Sequence, residues 1–157
     1  MPDTIRTADF LNNLFTLLTE TFESPLGASS AYLDQSAGLF TTLAGLSAKQ
    51  ASKPITPTGT SVAAQVEHIR FYLDVVEQFM NGRTEKVDWT ESWQTQEVTP
   101  EAWEGLRGDL DAAHKSVIKT FRNIDTWDDD EIGDSLAILI HTAYHLGAIR
   151  QIVKVIT

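Results

Sequence analysis

The chain has 157 residues, with 22 Asp and Glu against 12 Lys and Arg, and a formal net charge of -10 at pH 7. This excess of negative charge disfavours nucleic acid and anionic membrane surfaces as partners. The apolar fraction of 42% is sufficient for a hydrophobic core, and the length predicts a single domain over 1–157. The sequence has no cysteine, which excludes disulfides, thiolate nucleophiles and sulfur-ligated zinc.

The first part of the chain predicts two amphipathic helices. An apolar stripe at helical spacing predicts the first helix from about Thr7 to Glu23, where Pro25 and Gly27 end it. A second apolar repeat predicts helix over 31–46, ending near Gly45. An irregular connection with two prolines follows.

The middle of the chain predicts a long helix and then a polar connection. The helix begins at Thr60 or Ser61 and continues to about Met80, and Asn81-Gly82 is typical of a helix end. The connection over 83–98 is polar but contains two tryptophans.

Two further long helices complete the chain. The tripeptide Thr99-Pro100-Glu101 combines an N-cap residue, a proline in the first turn and a favourable negative charge, so it predicts a helix start. The last helix begins within 128–130 and continues to the C-terminus. We interpret its aspartates as favourable N-terminal charge, because the spacing of a calcium loop is absent.

The long helices are four: 7–23, 60–80, the one that begins at Thr99 and the one that begins within 128–130. Without strands, they predict an all-α fold, and specifically a four-helix bundle. The connection between the second and third of these has about 17 residues, which is too long for a simple hairpin. Such a segment can cross the length of a bundle of about 30 Å. We therefore expect a crossover that leaves those two helices parallel.

The last helix is apolar on nearly every face, as expected for a helix that is central or shared with a second subunit. A homodimer is therefore predicted. Two histidines and two basic residues interrupt the apolar stretch 136–156, so we do not expect it to span a bilayer. The N-terminal segment lacks the pattern of a signal peptide, and the predicted location is cytoplasmic.

Three histidines are candidate metal ligands. His141 and His145 are four residues apart in the last helix, which places them about 40° apart on one face and about 6 Å apart along its axis. Their neighbours on that face are mostly apolar, and His68 has a similar setting in the second long helix. Buried imidazoles need hydrogen-bond partners or a metal. Spacing alone leaves both open: a site of three histidines with a free coordination position, and hydrogen-bonded core histidines.

Other polar and aromatic residues are weaker candidates. His114 lies beside charged residues at the border of an apolar stripe, so it is expected to be partly exposed. Gln65 and Tyr72 are candidates for substrate contacts or for hydrogen bonds to a ligand histidine, with ordinary buried hydrogen bonding as the alternative. Trp89 and Trp93 are expected to pack on the bundle or to form the wall of a substrate pocket.

Two motifs resemble the DinB-like superfamily, also called DinB/YfiT-like metalloenzymes. They are Val66-Glu67-His68-Ile69 and His141-Thr142-Ala143-Tyr144-His145-Leu146-Gly147. The Asn81-Gly82 helix end, the tryptophan-bearing crossover and the Thr-Pro-Glu helix start resemble the family in order and spacing. The similarity covers most of the chain from about Ser61 and, more loosely, the first sixty residues. It implies a DinB-like bundle of up-down-down-up topology with a nickel or zinc ion on His68, His141 and His145.

The same resemblance implies an activity. Characterised relatives include transferases and isomerases that use low-molecular-weight thiols, so we expect a metal-dependent S-transferase or a hydrolase that acts on a small molecule. The missing cysteine is consistent with a thiol that is supplied by a small-molecule cofactor. One departure is Ala148, where many members carry glutamine, which leaves the ligands intact but affects any substrate contact there. The alternative is a non-catalytic metal-binding or dimeric stress-response protein with a structural histidine cluster.

Overall fold

All regular elements of residues 4–27 and 29–157, which the computed structural model describes, are helices, so the predicted all-α class is confirmed. They are α1 (Thr7–Phe22), α2 (Leu39–Ala44), α3 (Ala48–Ala51), α4 (Val62–Met80), a 3-10 helix (Trp89–Trp93), α5 (Pro100–Arg122) and α6 (Asp129–Ile156). The four long helices α1, α4, α5 and α6 correspond to the four that helical periodicity predicts.

Side-chain caps explain where the long helices begin. The Ser61 hydroxyl accepts a hydrogen bond from the third backbone N–H of α4, and the Thr99 hydroxyl does the same for α5. At the start of α6, Asp128 and Glu131 form a reciprocal capping box. After α4, Gly82 adopts a φ of 93°, a conformation that glycine tolerates without a steric cost. These local interactions confirm the boundaries predicted for these three helices.

The helix predicted over 31–46 is wrong for its first half, because α2 begins only at Leu39. The backbone N–H groups of 31–33 donate instead to the buried carboxylate of Glu20 on α1, at N···O distances of 2.7, 2.7 and 2.6 Å. Three consecutive N–H groups are thereby bonded to a carboxylate eleven to thirteen residues away. This long-range interaction outweighs the local helical pattern.

Helix α4 packs against both α5 and α6, and α1 packs against α6. The largest fully buried side chains come from all four long helices and from α2, and include Trp103, Phe22, Phe121, Leu39, Ile69 and Ile149. The indole N–H of Trp103 donates to the carbonyl oxygen of Leu46 at 2.9 Å, which ties α5 to the segment between α2 and α3. Trp103 is therefore a packing residue.

Helix α6 has one buried and one exposed apolar face. Ile138, Leu146 and Ile149 are buried, whereas Ile140 and Tyr144 are 65% and 74% exposed. By length and composition alone the helix could cross a membrane, since an 18-residue window has a mean hydropathy of 1.2, with 33% of it buried. Core helices of soluble proteins pass the same test. Its packing on α1 and α4 accounts for part of its apolar surface.

The prediction that His114 is partly exposed is wrong, because only 6% of its surface is accessible. Its ring stacks on Phe22 of α1, with centroids 4.2 Å apart, and meets the edge of Phe40 of α2 at 5.5 Å. Burial lowers the pKa of His114 to about 4, so its imidazole is neutral at pH 7. The covering rings come from two other helices, so the pattern along α5 could not indicate this environment.

The Glu20 carboxylate contributes to stability in a pH-dependent way. Burial alone would raise the pKa of Glu20, but hydrogen bonds from the three N–H groups of 31–33 hold it below its ordinary value of 4.5. A carboxyl group whose pKa is lowered by folding stabilises the folded state above the pKa of the unfolded chain. This contribution is lost as the pH falls through the lower, folded-state pKa.

We therefore predict that Glu20→Gln lowers the free energy of unfolding by about 1–3 kcal/mol at pH 7, because an amide offers weaker and fewer acceptors to the three N–H groups. The difference from wild type should shrink as the pH falls through the lowered, folded-state pKa of Glu20, because the wild-type carboxylate then also becomes protonated. Urea unfolding at pH 7 and in a series of acidic buffers below pH 4.5 measures this. Glu23→Gln, at an exposed position beyond the same helix, is the matched control and should change stability by less than about 0.5 kcal/mol. Equal effects of the two variants would contradict the role of Glu20.

Candidate metal centre

The three predicted histidines converge in the structure. His68 extends from α4 and His141 and His145 extend from α6, and one ring nitrogen of each lies within 4.8 Å of the others. The shortest of these contacts joins His68 Nε2 and His141 Nε2 at 3.1 Å. His68 and His145 are buried, with 9% and 6% of their surface exposed, and His141 is half-buried. The contact between α4 and α6 and the four-residue spacing on α6 together bring them into one cluster.

Gln65 sets the orientation of His145. The Nδ1 atom of His145 lies 2.6 Å from Gln65 Oε1, and Gln65 Nε2 donates to Thr60 Oγ1 at 2.7 Å. Since an amide oxygen only accepts, His145 carries its proton on Nδ1 and keeps the lone pair on Nε2. The side chain of Gln65 is itself buried, one helical turn before His68 on α4.

Ser92 has the corresponding role for His68. The Nδ1 atom of His68 lies 2.7 Å from Ser92 Oγ, which donates its own proton to the carbonyl oxygen of Trp89 at 2.7 Å. Ser92 therefore accepts from Nδ1–H, and the lone pair of His68 also lies on Nε2. The ring of Trp93 stacks on His68, with centroids 3.9 Å apart and an interplanar angle of 17°. The 3-10 helix between α4 and α5 thus holds His68 through one hydrogen bond and one stacked ring.

His141 has a different environment. Its Nε2 faces the Nε2 lone pair of His68, so at 3.1 Å it must donate a proton to that lone pair or share a cation with it. Its Nδ1 is buried and has no hydrogen-bond partner among the residues described. Tyr72 stacks on the imidazole, with centroids 3.7 Å apart and an interplanar angle of 10°, which holds the ring plane.

The cluster keeps its imidazoles neutral. Burial lowers the pKa of His141 to about 3, and the neighbouring His145 and His68 lower it further in the same direction. Burial also lowers the pKa of His145 to about 4 and lowers that of His68. At neutral pH all three rings are therefore in the unprotonated form that binds metal ions.

The donor set and the geometry fit a divalent cation. Tetrahedral zinc with Zn–N bonds of about 2.0–2.1 Å separates its nitrogen ligands by about 3.4 Å, so ring nitrogens within 4.8 Å of one another need only small movements to reach it. Imidazole nitrogens suit zinc, nickel, copper and iron. Three protein ligands leave at least one coordination position open. The cluster could therefore hold a metal ion, and this donor set does not distinguish zinc from nickel.

The residues predicted to contact a substrate lie beside the cluster. Gln65 and Tyr72 contact His145 and His141 directly, as described above, and Trp89 packs on Tyr72 with centroids 5.7 Å apart. Trp89 is 40% exposed, so it reaches solvent while it packs on Tyr72. Burial raises the pKa of Tyr72, and the negative charge of Asp134 raises it further. Substrate contact by these residues stays a prediction.

No model of a known protein family, no curated protein and no solved structure matches the chain. The resemblance to the DinB-like superfamily therefore stays a prediction.

Sequence reasoning missed Ser92 entirely, because a serine within a polar connection carries no distinguishing signal. Its role depends on how the crossover folds back onto α4.

The hydrogen bonds at the two Nδ1 atoms should control metal affinity. We predict that Gln65→Ala and Ser92→Ala each weaken zinc binding about 10–100-fold, because the ligand ring loses the acceptor that fixes its tautomer and orientation. Competition with a chromogenic chelator measures the affinity.

Two further variants sharpen this measurement. Gln65→Glu keeps an acceptor for His145 and should bind zinc within a few-fold of wild type. Gln78→Ala removes an exposed glutamine from the same helix and is the matched control. The proposed roles are wrong if Gln65→Ala and Ser92→Ala bind zinc as tightly as the Gln78→Ala protein.

Proposed function

We propose that the chain is a DinB-like protein that binds one nickel or zinc ion through His68, His141 and His145. One observation carries this proposal. Two of the three rings have an acceptor at Nδ1, and their Nε2 lone pairs lie within one cluster of neutral imidazoles. Two of the rings meet Nε2 to Nε2 at 3.1 Å, an arrangement that a shared proton or a cation stabilises.

The proposed architecture is a four-helix bundle of up-down-down-up topology. In this arrangement the crossover between Met80 and Pro100 leaves α4 and α5 parallel, and α1 and α6 run the other way. The packing of α4 on α5 and α6, and of α1 on α6, supports it.

The proposed activity is metal-dependent transfer of a thiol to a small electrophile, with hydrolysis as the second form of the same chemistry. A divalent cation in such a site lowers the pKa of a thiol or a water that binds it. The chain itself has no cysteine, so the sulfur nucleophile would come from a low-molecular-weight thiol. Hydrolysis also needs a general base within hydrogen-bond reach, and the histidine cluster includes no carboxylate among the residues described. This favours thiol transfer over hydrolysis.

In the proposed reaction the chain's own residues orient the histidine ligands and bind the substrate. Gln65 and Ser92 hold the ligand rings, and Trp93 excludes water from the buried face of His68. Tyr72 and Trp89 form the aromatic side of the half-buried His141, and a small-molecule substrate would approach there. We propose that this takes place in the cytoplasm, without nucleic acid or membrane partners.

A second candidate function is non-catalytic: a metal-binding or dimeric stress-response protein in which the cluster only holds α4 and α6 together. The observation that favours it is the low exposure of His68 and His145, 9% and 6%, with the ring of Trp93 stacked on His68. In that case no coordination position would be accessible to a thiol.

Elemental analysis of the tag-free protein tests the metal site. We expect about one nickel or zinc per chain in wild type and a loss of most of it in His145→Ala, which lacks one of three ligands. His114→Phe is the matched control, because it removes a histidine outside the cluster and keeps an aromatic ring on Phe22. A wild-type protein without metal, even after incubation with nickel and zinc, would contradict the proposal.

Cobalt substitution distinguishes the catalytic from the structural function. If a coordination position is open, 2-mercaptoethanol should add a sulfur-to-cobalt charge-transfer band to the absorption spectrum, and ethylene glycol should not. A closed structural site should give no such band. Removal of the metal by a chelator should lower thermal stability in both cases, but only the enzyme loses turnover with it.

The exposed apolar face of α6 supports a proposed homodimer. Leu136, Ile140 and Tyr144 follow one another at four-residue spacing and are 38%, 65% and 74% exposed. We predict that light scattering gives a dimer mass for wild type and a monomer mass for Ile140→Glu, because a charge would be buried unpaired in that interface. Ile55→Glu, at another exposed isoleucine, is the control and should leave the mass unchanged. A wild-type monomer would overturn the proposal.

A further inference from the structure

A second candidate site lies in a pocket between α1 and α5, the pair of long helices that carries none of the clustered histidines. Its volume is about 440 Å³, within the range of small-molecule sites. Lys115, Lys119 and Arg122 line it at four- and three-residue spacing along α5. These are three of the 12 basic residues of a chain whose net charge is -10.

Two of these cations are available to a ligand. Lys115 is paired with Asp111 at 2.5 Å, but Lys119 and Arg122 form no ion pair among the residues described. The guanidinium carbon of Arg122 lies 5.6 Å from the ring centroid of Phe15 on α1, across the pocket. Asp111 and Glu23 also line the pocket, so its three basic and two acidic residues give it a formal charge of +1.

His114 supplies the second observation. It lines the same pocket, is 94% buried given its 6% exposure, and its Nε2 has no hydrogen-bond partner among the residues described. Buried polar atoms nearly always have a partner. The stack on Phe22 fixes the ring, and the lowered pKa of about 4 keeps it neutral, so one of its nitrogens can donate and the other can accept. The imidazole thus offers a ligand in the pocket a neutral polar ring held in a fixed position.

We propose that the α1–α5 pocket binds a small organic anion with a planar apolar body. The negative group, a carboxylate or a phosphate, pairs with Lys119 and Arg122. The apolar body packs against Phe15 and Ile118, and a polar atom of the ligand lies against the imidazole of His114, which lines the pocket. The apolar walls and the volume match an organic anion better than an inorganic one. This inference is independent of the proposed metal site, because the two sites share no residue.

The test is an NMR titration of the full chain that includes the ring nitrogens of His114. The probes are benzoate and phenyl phosphate, which carry the same aromatic ring but different anionic groups. Inorganic phosphate is the control that lacks the aromatic ring. Benzylamine is the control that keeps the ring but carries a positive charge. We expect saturable shifts at His114 with benzoate or phenyl phosphate, and the tighter of the two identifies the anionic group. We expect none with benzylamine. Inorganic phosphate that binds as tightly as phenyl phosphate would overturn the organic ligand class.

Matched variants make the result specific. Lys119→Gln should weaken binding of the tighter probe about 10-fold, since it removes one charged hydrogen bond. Lys154→Gln removes a lysine from the last turn of α6, as Lys119→Gln does for α5, and should leave the affinity unchanged. His114→Phe keeps the aromatic stack and should also weaken binding. If His114→Phe does not fold, the comparison of Lys119→Gln with Lys154→Gln is sufficient to test the site. The absence of saturable shifts with both organic anions, or equal weakening by the two lysine variants, would overturn the proposal.

Discussion

The contact between α4 and α6 is the constraint on which the candidate site depends. It sets His68 against His141 at 3.1 Å and allows Gln65 of α4 to reach His145 of α6 at 2.6 Å. A shift of one helix along the other by a single turn, about 5.4 Å, would break both contacts. The same contact buries the rings, and burial is the main reason that their pKa values fall. The position of the two helices therefore determines both the geometry and the protonation state of the cluster.

The connections around the long helices also take part in the chemistry. The connection between α4 and α5 contributes directly to the site, because its 3-10 helix supplies the acceptor for His68 through Ser92 and the stacked ring through Trp93. On α1, Glu20 binds the backbone of 31–33 through three hydrogen bonds. Close to that end of α1, Phe22 covers His114. One irregular segment thus supports the cluster, and α1 carries side chains that organise a second irregular segment and the α1–α5 pocket.

The predictions that succeeded were those that depend on neighbours in sequence. The starts of α4, α5 and α6 follow from Ser61, Thr99 and Asp128, whose side chains cap N–H groups two or three residues away. Predictions failed where a distant group decides the outcome. The helix expected over 31–38 does not form, because the Glu20 carboxylate binds the backbone N–H groups at its start. His114 is not exposed as expected, because the rings of Phe22 and Phe40 pack on it.

The sequence by itself determined the four long helices and placed two histidines on one face of α6, because helical periodicity and capping are local properties. It also determined that His68 lies on another helix, which made a three-histidine cluster a reasonable hypothesis. Only the tertiary structure decided that the three rings meet and which nitrogen of His68 and of His145 keeps its lone pair. It also decided that Ser92, on the connection between α4 and α5, is the hydrogen-bond partner of His68. These features depend on distances between segments that lie 24 to 80 residues apart along the chain. Burial and hydrogen-bond partners are set by packing, which the pattern of a single helix does not encode.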